Sequence, residues 1–246
     1  AILEFKLSGP VIARHPEWQM DDRRLLHLID YQNGTITLDG KVHPLKDTHF
    51  PTIDPDDPYR LTEEEQTCLD RLRQSFISSD RLWQHMLFVV GQGGMSLTRD
   101  DALIFHACVP TNEDGTFRET TIGDQQLSGG DLFREMEEVI RKTYRQGAHT
   151  VSNDLDYYYW LWVHSDSPLF GKSRMTTFER YFLEDPETHR EIKDPYFQKI
   201  HNADFVRKIG HAFGMGHNVL VINGHVPVKV ENGEDPVKQG GNAVTI

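Results

Sequence analysis

The sequence predicts an α/β protein, and the prediction depends on two observations. Residues 102–110 and 219–222 are apolar runs of the length and composition of short buried strands. Residues 129–146 instead repeat apolar side chains at helical spacing. Strands that alternate with helices along a chain are typical of an α/β sheet.

The first part of the chain, residues 1–92, is predicted to form a module of a β-hairpin and helices. Asn33-Gly34 is a strong turn signal between two strand-like runs. Further along, Thr62 and Glu65 have the spacing of a capping box and predict the start of a helix. A second helix with an apolar stripe follows, and a glycine cluster marks its end.

Residues 93–246 are predicted to form the α/β part. Here the amphipathic helix of residues 129–146 is expected to end at Gly147. Thr176 and Glu179 suggest a second capping box at the start of another helix. A further helix and a final apolar strand complete the expected order of elements.

The composition limits the classes of function. A net charge of −12 over 246 residues argues against general binding to a nucleic-acid backbone. No apolar stretch is long enough to span a membrane, so we expect no membrane partner. The two cysteines, Cys68 and Cys108, cannot form a disulfide framework for a chain of this size, which suggests a reducing cytoplasm.

Two histidines stand at the ends of apolar strands. His106 is near the end of the first apolar run, and His225 follows Asn223-Gly224 at the end of the second. Functional groups of α/β sheets gather where strands lead into loops, and imidazole is a common ligand of Zn, Mn, Fe or Ni. Metal binding by this pair is one interpretation, and ordinary hydrogen-bonded histidines are the alternative.

A rival interpretation uses Cys108. If the strand continues, His106 and Cys108 point to the same side, as a nucleophile and its base would. A small buried cysteine is the simpler interpretation.

A cluster of cations, Lys172, Arg174 and Arg180, surrounds the start of the helix expected after residue 175. Such a cluster could bind phosphate groups in an otherwise acidic protein. A solvated cationic edge fits the pattern equally well.

Five stretches together carry a family resemblance. They read EFKLSGPVIARHPEWQMDDRRLL, FPTIDPDDPYRLTEEE, IFHACVP, SPLFGKSRMTTFERYF and INGHVPVK. The sequence resembles the class III fructose-1,6-bisphosphatases of the calcineurin-like metallophosphoesterase superfamily. This resemblance implies a sandwich of two β-sheets flanked by helices, with a two-metal centre at the strand ends. In such enzymes, a metal-bridging hydroxide attacks the phosphorus atom, and manganese is the usual metal.

The resemblance also implies roles for individual residues. IFHACVP and NGHVPVK match motifs whose histidines are metal ligands, so His106 and His225 are expected to bind the same metal ion. Two of the acidic motifs that supply the other ligands, Gly-Asp-x-x-Asp-Arg-Gly and Gly-Asn-His-Asp, do not occur in the sequence, and the third, Asp-x-His, occurs only as Asp47-Thr48-His49, within residues 1–92. We therefore expect the C-terminal part of a longer enzyme, with residues 1–92 as an insert that could cover the active site.

The functional expectation is a metal-dependent sugar-bisphosphate phosphatase of gluconeogenesis. It would convert fructose 1,6-bisphosphate to fructose 6-phosphate and phosphate, with Lys172, Arg174 and Arg180 contacting the substrate phosphates. Because two imidazoles leave a metal half coordinated, the chain alone should bind Mn²⁺ weakly and hydrolyse no sugar bisphosphate. The alternatives are a cysteine hydrolase that uses Cys108 and His106, and a non-catalytic binding module.

Overall fold

The computed structural model describes residues 2–146 and 153–246. The described helices and strands, in chain order, have the following bounds. The α-helices are α1 (Ile2–Arg14), α2 (Glu63–Ile77), α3 (Asp80–Gln92), α4 (Gly129–Gln146), α5 (Asn153–Val163), α6 (Thr177–Phe182), α7 (Tyr196–Lys199) and α8 (Ala203–Ala212). The strands are β1 (Ile29–Asp30), β2 (Thr35–Leu38), β3 (Lys41–Pro44), β4 (Ser96–Arg99), β5 (Ala102–Phe105), β6 (Thr120–Ile122), β7 (Gln125–Leu127), β8 (Leu220–Asn223) and β9 (Ala243–Thr245).

The chain divides into two compact units. The first unit contains Ala1–His85 and Met175–Glu191, and the second contains Met86–Arg174 and Ile192–Ile246. The sequence places residues 175–191 in the α/β part, whereas the structure places them in the first unit. The physical reason is apolar burial, since this segment contributes Phe178, Phe182 and Leu183 to the first unit's core.

The first unit is built on a three-stranded antiparallel sheet in the order β1-β2-β3. The predicted hairpin at Asn33-Gly34 is confirmed, because β1 and β2 pair antiparallel on either side of it. The next turn, Asp39-Gly40, joins β2 and β3, and both of its residues have positive φ (48° and 75°). Two residues with positive φ suit the right-handed twist of a hairpin, and glycine adopts this conformation without strain.

Helix α2 begins at the capping box that the sequence predicts. The Thr62 side chain accepts a hydrogen bond from the Glu65 N–H at 3.2 Å, and the Glu65 carboxylate accepts one from the Thr62 N–H at 2.9 Å. The buried Lys6 ammonium also donates to Glu65, at 2.8 Å. The first turn of α2 is therefore held by both local and long-range contacts.

The second predicted capping box, at Thr176 and Glu179, is wrong. Thr176 makes no capping bond, and its hydroxyl instead donates to the His189 carbonyl at 3.2 Å. Glu179 is buried and accepts two hydrogen bonds from Arg23, at 2.7 and 3.2 Å. Both side chains are taken by tertiary partners that sequence spacing does not reveal.

The second unit confirms the α/β prediction with a four-stranded sheet in the order β4-β5-β8-β9. β4 runs antiparallel to β5, whereas β5, β8 and β9 are parallel to one another. Leu103 and Phe105 of β5 are buried on one face of the sheet. The Phe105 ring contacts Phe133 edge-on and stacks on Phe213. Aromatic packing of this kind anchors the sheet against the helices.

The predicted amphipathic helix is confirmed as α4, Gly129–Gln146. Its predicted stop at Gly147 lies outside the described residues. Among residues 2–146 and 153–246, no helix combines the length and apolarity that crossing a bilayer requires.

Candidate metal centre

The two strand-end histidines are brought to the same edge of the sheet. β5 ends at Phe105 and β8 ends at Asn223, and these two residues are partners in the parallel register. His106 follows β5 directly and His225 follows β8 after Gly224, so both lie at the carboxyl ends of neighbouring strands. This edge is where parallel α/β sheets carry their functional groups.

The two imidazoles face each other at hydrogen-bond distance. His106 Nε2 and His225 Nδ1 are 2.9 Å apart, and the ring centroids are 4.8 Å apart with an interplanar angle of 70°. Two nitrogens at right angles on one metal, with bonds of about 2.1 Å, are separated by about 3 Å. The spacing of these nitrogens therefore fits two adjacent ligands of a single ion.

The backbone of His225 is in an unusual conformation. Its φ is +68°, and the Val226 N–H donates to the Gly224 carbonyl at 2.8 Å across it, which closes a three-residue γ-turn. A residue other than glycine with positive φ carries backbone strain, and such strain concentrates at functional sites. The strain is at the histidine and not at the neighbouring glycine.

Asn223 supports both strand ends and was missed by sequence reasoning. Its buried side chain donates to the Ala107 carbonyl at 2.9 Å and accepts from the Thr245 hydroxyl at 3.1 Å. The Gly224 N–H also donates to the His106 carbonyl at 2.8 Å. A buried amide at the end of an apolar strand is the sequence signal that could have revealed this support.

The surroundings of His225 favour its neutral form. Partial burial is the main factor that lowers the pKa of His225, followed by the proximity of His106 and of the Lys172 ammonium. A metal ligand must be a neutral imidazole, so a lowered pKa widens the pH range in which His225 can bind a cation.

The three predicted phosphate-binding cations have different positions. Lys172 and Arg174 belong to the second unit, and Lys172 is near enough to His225 to influence its pKa. Arg180 belongs to the first unit, where its guanidinium donates to the Thr176 hydroxyl and to the His189 carbonyl. Helix α6 has six residues, too few for the helix terminus to support an anion strongly.

The cysteine interpretation is wrong. Cys108 has no exposed surface, and burial raises the pKa of its thiol well above the ordinary value, with Asp194 adding to the effect. β5 ends before His106, so strand alternation does not apply, and His106 is exposed while Cys108 is buried. A thiol without access to solvent or to its thiolate form is not a nucleophile.

A cleft of about 800 Å³ opens beside His106. Its walls include Met95, Leu97, Ile104 and Leu169, together with Glu137 and Arg141. Within the part of the chain that the structure describes, no three His, Cys, Asp or Glu side chains are grouped to hold a metal ion. The described residues therefore offer a cation two nitrogens, about half of a tetrahedral shell.

Comparisons with known proteins identify relatives along the whole chain. The class 3 fructose-1,6-bisphosphatase of Clostridium novyi is 44% identical over 249 residues, and that of Clostridium acetobutylicum is 43% identical. The enzyme of Listeria innocua with the same name is 42% identical. Each alignment covers all of this chain but only 37–38% of the relative.

No solved structure matches this chain. A family model described as Firmicute fructose-1,6-bisphosphatase matches residues 1–246. The chain belongs to the family of Firmicute fructose-1,6-bisphosphatases.

Proposed function

We propose that this chain is part of a metal-dependent sugar-bisphosphate phosphatase in which His106 and His225 bind the same metal ion. The single observation that carries the proposal is the 2.9 Å separation of their ring nitrogens at two parallel strand ends. The strained backbone of His225 adds support, because such strain is unfavourable for a histidine with only a packing role.

The proposed substrate is fructose 1,6-bisphosphate, the compound in the names of the relatives, and the products are fructose 6-phosphate and phosphate. The proposed setting is gluconeogenesis in the cytoplasm. We propose a pair of manganese ions, which would neutralise phosphate charge and supply a hydroxide near neutral pH. In this chain the histidines would hold one ion, while Lys172 and Arg174 would attract the phosphate. A contact between Arg180 and a substrate phosphate stays a prediction.

Further polypeptide is needed to complete the site. Mn²⁺ prefers carboxylate oxygens, and the described residues place no carboxylate group with the two histidines. The chain spans about 37% of the length of the relatives that it matches. We therefore propose that additional segments supply the missing ligands.

The sheet has a face that suits such segments. Leu97, Ile104, Ile222 and Val244 are register partners across β4, β5, β8 and β9, so they form one apolar row on the same face. None of the four is fully buried, and Leu97 is 58% exposed. Sheets with parallel strands are normally covered on both faces. A second sheet over this row would give the metallophosphoesterase sandwich, which is the finer fold that we propose.

Metal binding is tested first on the chain itself. We expect Co²⁺, a spectroscopic substitute for Mn²⁺, to produce a weak d–d absorption that is lost in His106→Ala and in His225→Ala. His217→Ala is the matched control, because His211 and His217 form a ring pair with the same 4.8 Å spacing and a 72° angle. Equal loss of Co²⁺ binding in the control would show that any histidine pair suffices and would contradict the assigned site.

Activity is tested in a chimera in which this chain replaces the matched region of the Clostridium novyi relative. We expect Mn²⁺-dependent phosphate release from fructose 1,6-bisphosphate by the chimera and none by the chain alone. His106→Ala and His225→Ala should each reduce turnover at least 100-fold. Full activity in both variants would instead favour a non-catalytic binding module with structural histidines.

A further inference from the structure

A buried ion pair in the second unit is not used by the proposed chemistry. Arg118 Nη2 and Asp194 Oδ2 are 3.1 Å apart, and only 2% of the Asp194 side chain is exposed. The same carboxylate accepts hydrogen bonds from the N–H groups of Thr111 and Tyr196, at 3.2 and 2.9 Å. Arg118 also pairs with Asp166 at 3.0 Å, so the guanidinium has a second anionic partner.

The pair connects the two segments that flank the metal centre. On one side, Arg118 donates to the Thr111 carbonyl at 2.7 Å while Asp194 accepts from the Thr111 N–H, so both main-chain groups of Thr111 are held. Thr111 lies in the segment that leads away from His106. On the other side, the Asp194 N–H donates to the carbonyl of Gly171, the neighbour of Lys172, at 3.0 Å.

The same two segments also meet directly. The Cys108 N–H donates to the Pro168 carbonyl at 3.2 Å. Gly171 has a φ of +64°, and a Cβ there would lie 3.3 Å from Cys108 Sγ and 2.9 Å from the Phe197 ring. There is no room for a larger residue at this close approach, so small displacements of either segment are resisted.

Stability alone is a poor explanation for Asp194. Burial raises the pKa of the Asp194 carboxyl, and the Tyr196 N–H and Arg118 offset only part of this effect. The charged carboxylate therefore costs more in lost hydration than its partners return. A buried charge that does not contribute net stability can still fix one geometry among several.

We propose that Asp194, paired with Arg118, is a positioning residue that locks the His106 segment against the Lys172 segment. The lock sets where the His106 ring meets His225 and where Lys172 lies relative to both. The contacts above support the claim that Asp194 holds the two segments together, whereas the expected effect of Asp194 on metal affinity rests on the proposed function.

The experiment compares Asp194→Asn with the wild-type chain. Asparagine keeps an acceptor oxygen for Thr111 and Tyr196 but loses the charge, and Arg118 retains Asp166. Glu179→Gln is the matched control, since Glu179 is a buried carboxylate paired with an arginine in the first unit. Arg118→Met and Arg118→Lys test the other partner of the pair, because lysine keeps the charge.

Native-state amide hydrogen exchange is the first measurement. We expect at least tenfold faster exchange at Cys108 and Gly224 in Asp194→Asn, and little change at Val221 within the sheet. Arg118→Met should behave like Asp194→Asn, and Arg118→Lys should restore part of the protection. Glu179→Gln should leave Cys108 and Gly224 unchanged. Unchanged exchange in Asp194→Asn, or a uniform increase at all three amides, would overturn the proposal.

Co²⁺ binding is the second measurement, and it separates this inference from the proposed function. Groups that orient metal ligands typically contribute about 10–100-fold to metal affinity. We expect Asp194→Asn to weaken Co²⁺ binding at least tenfold and to alter the d–d spectrum. Faster exchange with unaltered Co²⁺ affinity would overturn the positioning role. A wild-type chain that binds no Co²⁺ contradicts the proposed function, and local acceleration of exchange would then still support the lock.

Discussion

The strain at His225 leads to a prediction about two substitutions at that residue. His225→Ala and His225→Gly both remove the imidazole and its contact with His106, so these losses cancel when the two variants are compared. They differ in backbone freedom, because alanine must keep the positive φ of 68° while glycine adopts it without steric penalty. We expect the glycine variant to be the more stable of the two.

The magnitude follows from two opposing terms. A left-handed conformation costs an L-residue about 1–2 kcal/mol relative to glycine. Glycine loses more chain entropy on folding than alanine does, and this difference favours the alanine variant by about 0.4–1 kcal/mol. The net expectation is that His225→Gly unfolds with a free energy about 0.5–1 kcal/mol higher than His225→Ala. In a chain of this size that corresponds to a difference of about 1–4 °C in melting temperature.

The assay is urea unfolding of both variants, followed by circular dichroism and by intrinsic fluorescence. His43 provides the control pair, because it lies in β3 with an extended backbone. There the order should reverse, with His43→Gly less stable than His43→Ala by about 0.5–1 kcal/mol. Comparing the two sites removes any general preference of the chain for alanine or glycine.

One result would refute the reasoning. If His225→Gly is as unstable as His225→Ala, or less stable, while the control pair behaves as expected, His225 carries no backbone strain. The inference that the chain accepts strain in order to aim this imidazole would then lose its physical basis.

Three further predictions follow from burial and hydrogen bonding. Ellman's reagent should modify the exposed Cys68 in the native chain and reach the buried Cys108 only after unfolding; Cys68→Ser should therefore abolish the native reaction. Thr62→Ala should cost about 1 kcal/mol of unfolding free energy by removing the cap of α2, measurable in urea, whereas Thr62→Ser should cost little. Because burial raises the pKa of Asp194 above 3.8, the folded state keeps that proton at a higher pH than the unfolded chain. Wild-type stability should therefore fall relative to Asp194→Asn as the pH rises from about 3.8 through the raised pKa, and a constant difference in unfolding free energy would contradict this.

Features with local causes could be predicted from the sequence. The α2 cap is an example, since Thr62 and Glu65 bond each other's backbone groups within one turn. The hairpin at Asn33-Gly34 is another, because Gly34 supplies the positive φ of 63° at its turn. The strand ends that carry His106 and His225 were also predictable, since each is marked by an apolar run that stops.

Features with distant causes could not be predicted. The Thr176 and Glu179 pair has the spacing of a cap, but contacts with His189 and Arg23 are made instead. Nothing near Asp194 in the sequence reveals that Arg118 lies beside it. The Arg118 and Asp194 contact spans 76 positions (194 minus 118) and the Arg23 and Glu179 contact spans 156, so both depend on topology, on which sequence spacing contains no information.

The position of the strain distinguishes a structural from a functional role for the second histidine. If the turn after β8 served only to reverse the chain, the positive φ would cost least at a glycine, and Gly224 is available one residue earlier. The positive φ is instead at His225, beside a glycine that does not adopt it. Asn223 and the Gly224 N–H meanwhile fasten the turn to Ala107 and His106. The backbone of His225 is strained, and hydrogen bonds hold the turn that carries its ring. This arrangement is expected where the orientation of the ring matters more than local stability.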